Sequence, residues 1–307
     1  MINKPLLVTV IIVTYNPRRD LLAWALDSLE IQTLPKDHFE VVVVDNNSSP
    51  PLQLGELTAG RTINLRLVQE PRQGNTYARS TGITEAKAKL LIFVDDDNHL
   101  DSDYLEQSLL IAREHPEIGA FGGIARGVFE SSLKKWQKEL VPSLGVRDYG
   151  PEPITSREKY WGPWEPIGAG MVFRRDVGLA FVDFLSRGSA AQALGRKGTK
   201  LMSGEDALLV RLAYQIGYAC SYQPSLRIDH HMKRERFRFR NLCHTLEGHG
   251  RSEAILYQLL YGQDIRAGLP HNCFMLLAGL VVKILTKGLW AGYVAWQWDL
   301  GYWREKR

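Results

Sequence analysis

A chain of 307 residues, 45% of them hydrophobic, can bury a substantial core, and its formal net charge of +4 is too small to argue for a nucleic-acid partner. Cys220, Cys243 and Cys273 are widely spaced with no Cys-x-x-Cys pair, which excludes a disulfide scaffold or zinc framework and fits a reducing compartment. The apolar run 6–13 follows a single lysine, Lys4, and precedes no small-residue cleavage site, so it reads as a first strand and not as a signal peptide.

The chain then alternates strand and helix to about residue 125. Residues 8–13 form a continuous β-branched run followed by Thr14-Tyr15-Asn16-Pro17, with Asn16 suited to an N-cap and Pro17 to the first helical position. The predicted helix carries Leu22, Leu26 and Leu29 on one face. A second strand over 40–44 ends in Asp45-Asn46-Asn47-Ser48-Ser49 and a polar loop through Pro50-Pro51, and a third covers 65–68. Gln73-Gly74-Asn75 opens a helix over 76–87 despite Gly82. Residues 90–94 form the unbroken apolar run of a strand buried on both faces. After Asp101-Ser102, Leu105, Leu109 and Ala112 mark a helix that closes near Pro116. This order predicts an α/β fold, a mainly parallel sheet sandwiched by helices with its loops gathered at one edge.

The 90–94 strand runs straight into Asp95, Asp96 and Asp97. Three adjacent carboxylates repel one another and need partners. One reading is a divalent cation, Mg²⁺ or Mn²⁺, shared with substrate phosphates; the other is a solvated acidic turn with Asp101 and Ser102 capping the next helix. Open parallel sheets bind ligands at this edge. No Gly-x-Gly-x-x-Gly or Walker loop is present, which argues against a Rossmann dehydrogenase or a P-loop enzyme.

Four segments, in order, carry a resemblance: Val10-Ile11-Ile12-Val13-Thr14-Tyr15-Asn16, Val43-Val44-Asp45-Asn46-Asn47-Ser48, Gly74-Asn75-Thr76-Tyr77-Ala78-Arg79-Ser80-Thr81-Gly82-Ile83, and Phe93-Val94-Asp95-Asp96-Asp97. Together they resemble the family 2 glycosyltransferases of the GT-A fold, with Ser80 and Ala88 as departures from the family's frequent Asn and Gly. The resemblance implies a nucleotide-diphosphate sugar, a UDP-sugar as first choice, held by Thr14, Tyr15, Asn16, Asp45, Asn75, Arg79, Asp95 and Asp96. Tyr15 and Asp45 would face the base, Arg79 the base or phosphates, and Asp96 the ribose, with Asp97 ligating a divalent metal (Mn or Mg). Taken singly, Tyr15 also reads as a packing aromatic, Asp45 as a turn residue and Arg79 as a helix-surface charge.

Farther along, a Lys-rich helix around 133–140 and a Pro/Gly-interrupted loop suggest an insertion on the acceptor side. Trp161 and Trp164 suit either a sugar-stacking platform or core packing. Gly168, Ala169 and Gly170 read as an apolar strand whose glycines allow close backbone approach, and they resemble the family's strand between donor and acceptor. Ser203-Gly204-Glu205-Asp206 precedes a helix with Leu209, Leu212 and Ile216 on its apolar face, ended by Gly217. The acids suit a helix first turn; they also resemble the family's catalytic-base motif, with Asp206 as the base and Glu205 as its alternate. Such a base deprotonates an acceptor hydroxyl as it attacks from the face opposite the leaving diphosphate, inverting the anomeric configuration. The resemblance further implies that His230 completes the metal site, although a lone histidine is often structural, and that Arg236, in the run of Lys233, Arg234, Arg236, Arg238 and Arg240, closes over the diphosphate; RNA or acidic lipid is the other use of such a run, but the rest of the chain has no second basic tract.

From 273 to 296 the chain is almost wholly apolar, interrupted by Lys283 and Lys287 and followed by Trp298, Tyr302 and Trp303. This pattern suits an interfacial helix on a membrane surface, a membrane span, or a packed or oligomer-forming helix. The expected organisation is a catalytic domain over 1–230, with a nucleotide-sugar half to 125 and an acceptor half after it, and a basic, hydrophobic helical extension over 231–307. The expected activity is an inverting transfer to a hydroxyl of a glycan or lipid-linked acceptor in surface polysaccharide or glycolipid biosynthesis. The expected place is the cytoplasm, peripheral on the inner membrane face. The rivals are a nucleotidyltransferase, which would show a Gly-rich basic loop where this chain has Tyr15-Asn16-Pro17, and an inactive membrane-associated scaffold subunit.

Overall fold

Three apolar runs without a charged interruption make the centre of the fold. The computed structural model describes residues 5–158, 160–188, 194–195, 203–262 and 273–305. β1 (Val8–Thr14) lies between β2 (Phe39–Asp45) and β4 (Leu90–Asp95), parallel to both, and β3 (Leu65–Gln69) extends β2 in parallel. Register aligns Thr14 with Asp45 on one side and Val13 with Asp95 on the other, so both acidic strand ends stand beside the end of β1. Helices cover the strands: α1 (Arg19–Glu30), α2 (Leu54–Thr58), α3 (Asn75–Glu85) and α4 (Tyr104–Glu114).

Beyond β4 the sheet turns antiparallel. β5 (Asn98–Leu100), β6 (Ile118–Phe129), β7 (Ile154–Ser156), β8 (Val172–Arg174) and β9 (Ala219–Met232) join it in the order β3-β2-β1-β4-β8-β6-β9-β5, with β7 also on β9. α6 (Arg175–Ser186) and α7 (Glu205–Gln215) follow β8 in the chain. The expected α/β sheet with helices on its faces is borne out. Val10, Ile12, Val41, Val43, Ile92 and Val94 belong to one continuous buried core.

Several local expectations are corrected. α1 starts at Arg19 with Arg18 at its N-cap; Asn16 instead takes φ +48° and ties two loops. The loop after Asp45 contains α2, because parallel strands need a crossover. Residues 168–170 form a turn and not a strand, and only Val172–Arg174 pairs in the sheet. The Lys-rich helix shrinks to α5 (Lys135–Lys138) plus a 3₁₀ turn at Val141–Leu144. Ile216, expected on the buried face of α7, is exposed, while Leu208, Leu209 and Val210 are buried.

The chain divides into two compact units: Met1–Gly127 with Arg147–Arg187 and Asp206–His231, and Val128–Val146 with Gly188–Glu205 and Met232–Arg307. In the second, α8 (Phe239–Tyr261), α9 (Cys273–Lys287) and α10 (Leu289–Glu305) pack together. The expected single apolar helix is two, broken at Gly288 with φ +79°. The Lys283 ammonium lies 2.7 Å from Asp299 Oδ2 on α10. Tyr302 is fully buried and stacked on Trp298. Gly250 on α8 faces the Trp298 carbonyl and Gly301 on α10 faces the Glu247 carbonyl so closely that a Cβ at either would collide with backbone. Among the described residues, no helix is long and apolar enough to cross a membrane.

Candidate active site

The strand ends place acids and one buried arginine on a common edge. Asp45 at the end of β2 is fully buried, and its two carboxylate oxygens accept from the Ser48 and Leu52 amides at 3.0 and 2.9 Å. It therefore shapes the loop above it. Asn16 accepts from the Ser49 amide and donates its own amide to Ser48 Oγ, both at 2.8 Å, joining the loops after β1 and β2. Tyr15 beside it is exposed. Asn46 reaches across: its amide group donates to the carbonyls of Glu70 and Arg72, and its oxygen accepts from the Gly74 amide at 2.7 Å. That pins the turn opening α3, where Asn75 is the first helical residue.

At the end of β4 the three aspartates point to three different partners. Asp95 Oδ1 is 3.5 Å from Nη2 of Arg79, whose guanidinium stacks over Phe93 and is buried, not a helix-surface charge. Asp96 accepts a hydrogen bond from the Thr14 hydroxyl. Asp97 Oδ1 lies 3.7 Å from His230 Nε2, with the imidazole 5% and the carboxylate 16% exposed. β5 pairs with β9 so that Asn98 stands opposite His230, which is what brings this histidine to the triplet. His231, the neighbour, packs edge-on to Trp24.

Among the described residues, no group of three or more His, Cys, Asp or Glu is assembled as a metal cage. A carboxylate and an imidazole that converge at one edge are nonetheless a donor set for Mn²⁺ or Mg²⁺, which commonly take remaining positions from phosphates and water.

The turn before β8 carries the connection to the second acidic motif. Gly168 donates its amide to Asp206 Oδ2 at 3.0 Å, and the Ala207 amide donates to Oδ1 at 2.9 Å. A Cβ on Gly168 would fall inside van der Waals contact with the Arg79 guanidinium. Arg79, Gly168 and Asp206 thus follow one another across the site. Gly170 takes φ +73°, and its carbonyl accepts from the buried Tyr104 hydroxyl, whose ionisation burial pushes far up. Ala169 is half-buried against the main core. Trp164 packs its ring over Gly162 and meets Tyr160 edge-on. Glu205, the first residue of α7, is buried and belongs to the second unit. Arg236 also lies in that unit, with Nη1 3.5 Å from Met232 Sδ.

The model of "Glycosyl transferase family 2" matches residues 9–178, a stretch that includes every strand end just described up to the turn before β8. The chain belongs to this family. Family relatives include poly(ribitol-phosphate) β-glucosyltransferase of Bacillus spizizenii, 29% identical over 48% of this chain and 24% of that protein. Another is poly(ribitol-phosphate) β-N-acetylglucosaminyltransferase TarS of Staphylococcus aureus, 32% identical over 43% of this chain and 24% of that protein. Glycosyltransferase AglE of Haloferax volcanii is 33% identical over 55% of this chain and 65% of AglE. The match to the first two therefore spans about a quarter of their length. In fold, the chain is similar to a TarS 1–349 crystal structure (TM-score 0.52, 17% identity, 96% and 92% of the two chains). It is also similar to GalNAc-T7 crystallised with UDP, GalNAc and Mn²⁺ (TM-score 0.54, 16% identity, 85% and 52% covered). The expected resemblance to family 2 and the GT-A fold is borne out.

Reading the family motifs alone passes over Asn46 as a tether, and it passes over Glu165, Arg147 and Arg211. Arg211 does have a sequence signal: a cation inside the apolar run 208–213 calls for a buried counter-charge.

Proposed function

We propose that this chain transfers a sugar from a nucleotide-diphosphate donor, a UDP-sugar first among them, to a hydroxyl of a glycan or lipid-linked acceptor, with inversion, in surface polysaccharide or glycolipid biosynthesis. The observation that carries the reading is the line from Arg79 through Gly168 to Asp206, which sets a carboxylate beside the donor edge. On this reading Tyr15 and Asp45 border the base, Arg79 the base or phosphates and Asp96 the ribose, with Asn75 and Asp95 in the same nucleotide-sugar site. Thr14 and Asn16 hold those acids and loops in place. Asp206 takes the proton of the acceptor hydroxyl, and Glu205 is the alternate. Gly168, Ala169 and Gly170 bound the sugar, Trp164 offers it a ring face, and Arg236 closes over the diphosphate.

Asp97 and His230 would hold a divalent Mn or Mg ion. When bound, that ion neutralises the diphosphate and stabilises it as a leaving group. By their names, the Bacillus and Staphylococcus relatives transfer a sugar to poly(ribitol-phosphate), and TarS has been crystallised with UDP and with UDP-GlcNAc; both support the choice of donor and acceptor class.

The same reading puts the protein in the cytoplasm, peripheral on the inner membrane face. Support comes from Leu277, Val281, Val282, Leu285, Leu289 and Trp290, large apolar side chains exposed on α9 and the start of α10. An apolar helical face of this kind lies in a membrane interface without spanning it.

The test is a thermal-shift panel of nucleoside diphosphates and nucleotide sugars with and without Mn²⁺ or Mg²⁺, since a ligand bound only by the folded state must raise the melting temperature. A metal-dependent shift for one nucleotide class, lost in Asp97→Ala, is expected. No shift with any donor in folded protein would overturn the reading.

A further inference from the structure

Glu165 is 2% exposed and Arg211 3%, so a carboxylate and a guanidinium are paired out of contact with water. Arg211 Nε lies 2.9 Å from Oε1 of Glu165, and Nη2 donates to Oε2 at 3.0 Å. The Nη2 contact is a directed hydrogen bond and the Nε contact a close charge contact, so the guanidinium meets both oxygens of the carboxylate. Tyr214 Oη, 3.3 Å from Oε1, adds a third contact from the same helix. The backbone carbonyl of Glu165 is held separately by Nη1 of Arg147, a buried side chain whose guanidinium also reaches the Gly123 carbonyl.

Such a pair is a poor device for stability alone. Desolvating two charges costs several kcal/mol per ion, and well-packed apolar residues often serve as well. Its placement suggests another use. Arg211 and Asp206 lie on α7, while Glu165 and Gly168 lie on the turn leading to β8. The turn is therefore fastened to α7 at two points, Glu165 to Arg211 and the Gly168 amide to Asp206. Two attachments about a helical turn and a half apart prevent the turn from pivoting about either one.

We propose that the Glu165–Arg211 pair is a positioning clamp that sets the Gly168 turn against α7 and so holds the Asp206 carboxylate in its reactive orientation. The proposal rests on the reading of Asp206 as the base. It differs from a structural role in one respect: loosening the clamp harms the transfer step and the order of the turn, not donor binding or the fold as a whole. A small misplacement of a base costs rate steeply, because the catalysed step depends on near-attack geometry.

The experiment uses the full chain and the variant R211K, which keeps the charge and loses the planar group that meets both oxygens of Glu165. Amide hydrogen exchange is followed in the peptide covering 161–171, and UDP release from UDP-sugars is measured alongside UDP binding with Mn²⁺. Expected are faster exchange at 167–170 with core strands unchanged, a fall in kcat of at least tenfold, and a UDP dissociation constant within twofold of the parent. Should R211K fail to fold, the double substitution E165M/R211M removes both charges and is read in the same way. Unchanged exchange at 167–170, or parental turnover per bound UDP, overturns the clamp, and uniformly faster exchange throughout the core reduces it to a structural pair. Asp206→Asn separates the two proposals: parental turnover in that variant overturns the base reading, whereas exchange in R211K tests the clamp whatever Asp206 does.

Discussion

Gly168 donates its amide to Asp206 Oδ2 at 3.0 Å while its Cα hydrogen faces the Arg79 guanidinium with no room for a methyl group. One residue thus spaces the donor edge from the second acidic motif. Gly168→Ala would have to push Arg79 away from Asp95. The expected result is roughly tenfold weaker UDP binding by titration and lower turnover, in a protein whose melting temperature falls only modestly. Parental UDP affinity would show that Arg79 is free to move.

Asp206→Asn preserves the shape of the side chain and one acceptor oxygen, which can keep the bond from Gly168 while the bond from Ala207 is lost, and removes its basicity. Loss of a general base costs about 10²–10⁴ in rate. We expect that fall in kcat with UDP affinity unchanged. If turnover survives, Glu205→Gln is the next variant to assay.

Glu70, at the entrance to the turn pinned by Asn46, is held down to a pKa of about 2 by hydrogen bonds from Arg72 and Thr81, against the opposing effect of burial. A carboxyl whose folded pKa lies below its ordinary 4.5 stabilises the fold fully above that value and ceases to do so as pH falls through about 2. The Glu70→Gln variant is therefore less stable at neutral pH. Its acid limb is flatter than the parent's between those two values, and denaturant midpoints measured down the pH scale check this.

Gly82 looks like a helix weakness in α3, yet it is buried where a Cβ would overlap the Ile11 side chain and touch Val44. Gly82→Ala, normally helix-favouring, is expected to destabilise by about 1–3 kcal/mol through overpacking. A stabilised variant, by urea midpoint, would show that α3 rides higher on β1 and β2 than described.

Leu285→Glu places a charge on the most exposed large apolar side chain of α9, 79% accessible. Flotation with vesicles containing anionic phosphatidylglycerol is expected to recover the parent and lose the variant, with UDP binding unchanged in both. Equal recovery would remove the membrane from the proposal.

Much of the parallel half was legible because its signals are local. The runs at 10–13, 41–44 and 90–94 are apolar without a break, and each ends where polar residues begin, so strand and edge are read together. The sequence motif singles out His230, and its approach to Asp97 comes from the β5–β9 pairing. Other features depend on distant partners. Asn16 follows cap rules only until Ser48 and Ser49 claim its polar groups. β8 is three residues long, too short to announce itself, and exists because β4 and β6 flank it. Continuous apolar sequence hid the break at Gly288, which a hairpin closed by Lys283 and Asp299 requires. Glu165 sits between two prolines with nothing nearby to say that Arg211 will meet it.

The pairing of β4 with β8 also sets a timetable for synthesis. When the ribosome has made β1 to β4, the outer edge of β4 presents Leu90–Ile92 with their backbone groups unmatched, and the strand that covers them, Val172–Arg174, has yet to be translated. An apolar, uncovered edge is a template for pairing with another chain. The nascent protein therefore passes through a window, between the emergence of residue 95 and that of residue 174, in which the strand leading into its three aspartates is also an aggregation hazard.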